Sequence, residues 1–157
     1  MSGDPADSVQ ICVTVRVPPA VAFRAFTEEI DQWWRAGRRY RHLRVGALSL
    51  EPRLGGRLVE SDGERTVQIG EVLAFEPPDR LLLSWRNATF APDEATEVEV
   101  RFEPSGPDAT MVRLVHRGWS AIRADHPARH GKPPRDFLRE LGLWWGDLAT
   151  SFRLHAR

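Results

Sequence analysis

Apolar and polar positions along this chain recur with two periods. From position 134 onward Phe137, Leu138, Leu141, Trp144, Trp145, Leu148 and Phe152 return every three or four residues, the period of one buried helix face. Pro133 and Pro134 suit a helix entrance, and Asp136 suits the positive end of the helix dipole. The spacing predicts one helix of about twenty residues, roughly 30 Å long. At the other end Val9, Ile11, Val13, Val15 and Val17 alternate with Gln10, Cys12, Thr14 and Arg16, the pattern of a half-buried strand. Pro18 and Pro19 close it. Val21, Ala22, Ala25, Phe26, Ile30, Trp33 and Trp34 then follow helical spacing, with a break expected within 27–29. That predicts two short helices or one bent helix.

Between these ends the period is two. Strands are expected at 43–51, 56–61, 66–76, 80–87, 96–103 and 110–119. Turn residues separate them: Gly55-Gly56, Asp62-Gly63, Pro77-Pro78-Asp79, Pro92-Asp93 and Ser105-Gly106-Pro107-Asp108. Connections this short join neighbouring strands, so the expected sheet is an antiparallel meander. The order makes an α+β layer design, a curved antiparallel sheet of about seven strands under a long C-terminal helix. Residues 9–157 read as one domain, and 1–8, polar and acidic, as a flexible tail.

Charge and cysteine content narrow the function classes. Lys and Arg number 22, Asp and Glu 22, and Lys132 is the sole lysine. No net field draws the chain to nucleic acid or to an anionic membrane. No apolar run approaches the ~20 residues that span a bilayer, and the N-terminus lacks the basic-then-apolar order of an export signal. Cys12 is the single cysteine, which leaves no intrachain disulfide and points to a reducing, cytoplasmic setting.

Four segments carry a resemblance: VTVRVPPAVAFRAFTEEIDQWW, GGRLVE, GEVLAFEPPDRLLLSW and TMVRLVHRGW. The chain resembles the helix-grip superfamily related to START and birch-pollen-allergen (Bet v 1) proteins. More narrowly it is similar to the branch containing the C-terminal domain of the activator of Hsp90 ATPase. The motif over 70–85 is the most specific part. The resemblance implies the helix-grip fold, with a cavity between sheet and final helix that takes a hydrophobic or aromatic small molecule. It also implies two alternatives, a protein-interaction module for an Hsp90-like chaperone and a cyclase, lyase or hydrolase using the same cavity. No cofactor is expected, and a homodimer is an allowed assembly.

Strand alternation sorts the side chains. Arg80, Arg86, Glu97, Glu99, Arg101 and Arg113 should face water. That turns Leu81, Leu83, Trp85, Val98, Val100, Phe102, Val112, Leu114 and His116 toward the helix. His116 either serves a ligand as hydrogen-bond partner or acid–base group, or is a neutral core histidine. Glu71 shares parity with Val67, Ile69, Leu73 and Phe75 and so points inward, a costly place for a carboxylate. A bulge at Gly70 would expose it instead. Six tryptophans offer either an aromatic wall or plain core filling, with one member of each adjacent pair inward and the other at the rim.

The candidate ligand-binding set is Trp34, Glu71, Leu83, Trp85, Val100, Leu114, His116, Trp119, Leu141, Trp144, Trp145 and Leu148. No catalytic residue is assigned. His126 and His130 have the spacing of helical metal ligands, but Pro127 and Gly131 break the helix. They read as a solvated loop, as does the arginine-rich stretch 35–44, and no metal site is expected.

Overall fold

A computed structural model describes residues 7–34, 46–86 and 89–157. Most of the expected tail, all of the basic stretch 35–44, the start of the 43–51 strand and the end of the 80–87 strand lie outside these residues. The elements in order are β1 (Val9–Val15), α1 (Pro19–Glu28), α2 (Ile30–Trp33), β2 (Ala47–Leu50), β3 (Arg57–Ser61), β4 (Thr66–Glu76), β5 (Arg80–Trp85), β6 (Thr96–Pro104), β7 (Thr110–Arg117) and α3 (Pro134–His155). Among the described residues the strands form one antiparallel sheet, ordered β1-β7-β6-β5-β4-β3-β2. Consecutive strands from β2 to β7 pair as hairpins, while β1 pairs with β7. This is the helix-grip arrangement, with α3 lying across the inner face and along β1.

Local chemistry explains the helices. Pro19 sits in the first turn of α1, where its missing N–H costs nothing. Glu29, at φ −108° and ψ 25°, separates α1 from α2, so the two-helix form of the expectation holds. α1 buries Ala22, Phe23, Ala25 and Phe26. Val21, expected on that face, is instead exposed. The buried stripe centres on Phe23, which meets the rings of Phe75 and Phe102 edge-on. α3 buries Phe137, Leu138, Leu141, Trp145, Leu148 and Phe152. Phe152 touches both Phe26 and Trp33, which ties α3 to α1 and α2.

β4 settles which of the two readings of Glu71 holds, in favour of the bulge that exposes it. Its pairing shifts register against β3 and again against β5. Ile69 and Val72 are buried while Glu71 and Leu73 turn outward. Gly70 is the cause: a Cβ there would lie 2.0 Å from the Ser84 carbonyl oxygen, so the strands approach too closely for any side chain. The Glu71 N–H donates to Ser84 Oγ at 2.9 Å. Glu71 therefore leaves the candidate set.

The ordered body also begins earlier than position 9. The Asp7 carboxylate accepts from Gly118 N (3.3 Å) and Ser120 N (3.1 Å), and its carbonyl accepts from Trp119 N (3.0 Å). Asp7 caps the turn after β7 and is not part of a loose tail. On the convex face Glu99 bonds Arg80 at 2.6 Å and lies within 3.3 Å of Arg117 and 3.5 Å of Arg101. Burial alone would raise the Glu99 carboxyl, but these guanidinium partners hold it below the usual carboxylate range.

Candidate functional site

The inner face carries an aromatic cluster. Trp85, last in β5, and Trp34, just after α2, stack with their rings inclined by 23° and centroids 5.7 Å apart. Trp144 and Trp145 both meet Trp34 edge-on, at 5.8 and 5.7 Å. Trp145 also meets Trp85 at 5.4 Å. Such face-and-edge packing matches the indole quadrupole. Trp145 is buried and Trp144 is half-buried at the rim, as expected for that pair. Trp33 and Trp34, by contrast, are both buried. α2 ends between them, and Trp34 is extended (φ −77°, ψ 102°). Trp33 can therefore donate to Ala25 O at 3.2 Å while Trp34 turns to Trp85.

His116 lies behind this cluster with both ring nitrogens engaged. The Trp145 indole N–H can only donate, so His116 Nδ1 accepts from it at 3.1 Å. The neutral ring then carries its proton on Nε2 and donates to Thr96 Oγ1 at 2.7 Å. The Thr96 hydroxyl in turn donates to Trp85 O at 3.0 Å. Burial pushes the imidazole from its ordinary 6.5 down to about 3. His116 is a neutral core histidine that positions Trp145 and Trp85, and it has no nitrogen left for a ligand or a proton transfer.

A pH dependence follows from that burial. Because the folded-state value is depressed, the stabilisation is complete above pH 6.5 and drains as pH falls toward 3. The slope from this one group is about 1.4 kcal/mol per pH unit. Urea unfolding at pH 6.5, 5.75 and 5 should show it, and His116→Gln should remove that increment. Equal slopes in the two proteins would place the burden on other groups.

The space expected to be a cavity is closed on one side. Between α3 and the β1–β7 pair, the void lined by Ile11, Val112, Leu114, Trp145, Leu148 and their neighbours holds about 10 Å³. That is room for a single water at most. Leu114 and Leu148 thus serve as core packing, and Leu83, Val100 and Leu141 are buried within the same core. An opening of about 420 Å³ lies elsewhere, between α1 and the Pro77-Pro78 turn, over Phe23 and Phe75. None of the candidate residues lines it. Trp119 is fully buried between Phe90 and Phe137 and meets the His116 ring at 5.4 Å.

Three buried ionisable residues escaped the sequence reading. His126, expected in a solvated loop, is 2% exposed. Its Nε2 meets Glu94 Oε1 at 2.9 Å, and its Nδ1 accepts from Ala128 N. Both nitrogens are committed to closing the 119–133 connector, while His130 points to solvent. Arg129, also 2% exposed, donates to the carbonyls of Trp119, Ile122 and Arg123. Neither residue lies in a periodic segment, so nothing in the pattern marked it. Glu60, fully buried on β3, did carry a signal, since it shares parity with Leu58. Among the described residues no three His, Cys, Asp or Glu side chains assemble as metal ligands.

The model of the family described as "Activator of Hsp90 ATPase homolog 1-like protein" matches residues 16–133. The chain belongs to this family. Solved structures share its fold. Protein MLL2253 from Mesorhizobium loti is 22% identical, with 94% of each chain covered and a TM-score of 0.66. PFC0360w, an Hsp90 activator from Plasmodium falciparum, is 20% identical over 89% of this chain and 96% of its own, at a TM-score of 0.61. Txn09, an anthrahydroquino-gamma-pyrone synthase, is 27% identical over 94% of this chain and 99% of its own, at a TM-score of 0.56. A search of curated proteins returns no match.

Proposed function

We propose that this domain binds a flat apolar or aromatic small molecule against the Trp34–Trp85 pair, with Trp144 at the mouth. The observation that carries the reading is the stacked indole pair with two further indoles edge-on around it. Trp34 and Trp85 are buried and pack on each other, so a planar ring would take the place that one of the surrounding indoles now holds. Similarity to a synthase complex over nearly the whole length of both chains supports a small-molecule role. Binding is favoured over acid–base catalysis because His116 is locked neutral by Trp145 and Thr96. Cytoplasmic residence is part of this reading; no described helix is long and apolar enough to cross a membrane.

The test is a titration with 1-aminoanthracene. Its emission should rise saturably as tryptophan emission falls. Trp85→Leu should weaken binding roughly 3- to 10-fold, the worth of one aromatic contact. No saturable change in the wild type would overturn the reading. A second reading, a chaperone-contacting module, draws support from Leu143 and Leu154, exposed on the outer side of α3, and from the fold shared with the Plasmodium activator. An unchanged ATPase rate of purified Hsp90 in the presence of the domain would argue against it.

A further inference from the structure

The opening between α1 and the β4–β5 turn is built like a small-molecule site. Ala20, Phe23, Arg24, Thr27 and Glu28 recur at three- and four-residue spacing, so they share one flank of α1. The gap between that flank and the turn holds about 420 Å³. Ligand pockets fall in this size range and are mostly apolar, with a few polar groups that orient the ligand. The floor here is aromatic. Phe23 and the half-buried Phe75 meet edge-on, with centroids 5.3 Å apart and planes at 70°. Pro52, Pro77 and Pro78 form the facing wall, and prolines bring no backbone N–H to it.

The cup is formed before any ligand arrives. Asp79 N donates to Glu76 O at 2.7 Å and Asp79 O accepts from Phe102 N at 2.9 Å, which pins the turn to β6. Thr27 Oγ1 donates to Phe23 O at 2.9 Å, so its proton is committed within the helix. That leaves the rim to orient a ligand, and the rim carries one charge of each sign. Arg24 Nε and Glu28 Oε2 lie 3.9 Å apart, with side chains 65% and 54% exposed. An ion pair that long and that exposed contributes little, so either group can turn to a ligand at small cost. A ligand with a single charge gains from one of them and is opposed by the other. A ligand with both charges gains from each.

We propose that this cup binds a zwitterion with an apolar body, of the α-amino-acid type. A phenyl or branched alkyl group lies over Phe23 and Phe75, the carboxylate meets Arg24 and the ammonium meets Glu28. The site is independent of the reading that places a flat molecule against Trp34 and Trp85, since it shares no residue with that cluster. Among the described residues no tryptophan lines it, so occupancy here leaves tryptophan emission unchanged.

Four single-ring probes test it by NMR titration of isotope-labelled protein: L-phenylalanine, phenethylamine, hydrocinnamate and phenethyl alcohol. Amide shifts at Ala20, Arg24, Glu28 and Phe75 should saturate, with L-phenylalanine binding at least about 3-fold tighter than the other three, the worth of exposed charge contacts. Arg24→Gln should pass the advantage to phenethylamine, and Glu28→Gln should pass it to hydrocinnamate. Both positions are exposed, so the fold should be undisturbed. Ala20→Phe, also at an exposed position, puts a ring into the cup and should abolish the shifts with all four probes. No saturable shift at these amides, or shifts that survive Ala20→Phe, would overturn the site. Equal wild-type affinities, or a preference for a singly charged probe, would overturn the zwitterion assignment. Shifts at Trp34 and Trp85 with falling tryptophan emission, and none at the cup, would overturn this inference and support the aromatic-cluster reading.

Discussion

Leu148→Ala should lower the stability of the domain by about 2–5 kcal/mol, the cost of a leucine removed from a packed core. Leu148 is 1% exposed and lies on the face of α3 that meets Val112, Leu114 and Trp33 across a void of about 10 Å³. The surroundings are too well filled to collapse around the lost methyls, so the cavity term adds to the transfer term. For a chain of this size the expected fall in Tm is roughly 4–20 °C. Leu143→Ala, five residues away on a position 68% exposed, should change stability by no more than about 0.5 kcal/mol. Thermal melts of both variants check the pair. Similar shifts for the two would mean that the buried face of α3 has been misassigned.

Arg129→Met should be the most damaging single change in the 119–133 connector. The guanidinium donates to Trp119 O at 2.8 Å, Ile122 O at 2.7 Å and Arg123 O at 3.1 Å. It also lies over the rings of Trp119 and Phe137, at 5.5 and 5.7 Å. Desolvation lowers its pKa. Methionine keeps much of the packing volume but withdraws three donated bonds: Trp119 O and Arg123 O keep the N–H groups of Ile122 and His126, while Ile122 O loses its side-chain donor. Hydrogen bonds to a charged donor contribute about 1.5–3 kcal/mol each, offset in part by no longer burying a cation. The expected net loss is roughly 2–4 kcal/mol. Arg129→Lys should recover little of it, because an ammonium cannot reproduce the planar fork. Urea midpoints and hydrogen exchange at Trp119, Ile122 and His126 give the readout. A methionine variant as stable as the wild type would show that water satisfies those carbonyls.

The candidate site divides along the same physical line as the fold. For Trp144 and Trp145 helical spacing implied one inward residue and one at the rim, because consecutive side chains on a helix are about 100° apart, but that Trp145 is the inward one came from the packing. Trp33 and Trp34 share that adjacency, yet the helix stops between them and both are buried. Membership of the aromatic cluster was thus legible for Trp85, Trp144 and Trp145 from their periods. The stacking of Trp34 on Trp85 required the extended conformation at position 34. His116 was legible as inward, from its parity with Val112 and Leu114. Its role was not, since its partners Thr96 and Trp145 lie 20 and 29 residues away along the chain.

The residue pattern left the pairing of β1 with β7 open, whereas the facing of β5, β6 and β7, the buried stripe of α3, the break after α1 and the antiparallel meander from β2 to β7 were legible in it. These follow from backbone geometry that repeats every 2 or 3.6 residues and from turn residues at the joints. Tertiary contact chose the phase of Glu71, because the approach of Gly70 to Ser84 O is a contact between strands. It also decided the burial of His126 and Arg129, whose partners are carbonyls and carboxylates brought together by an aperiodic loop. Closure of the space between α3 and β1–β7 was likewise a tertiary outcome, since the gap left between two layers depends on how side chains from both interlock.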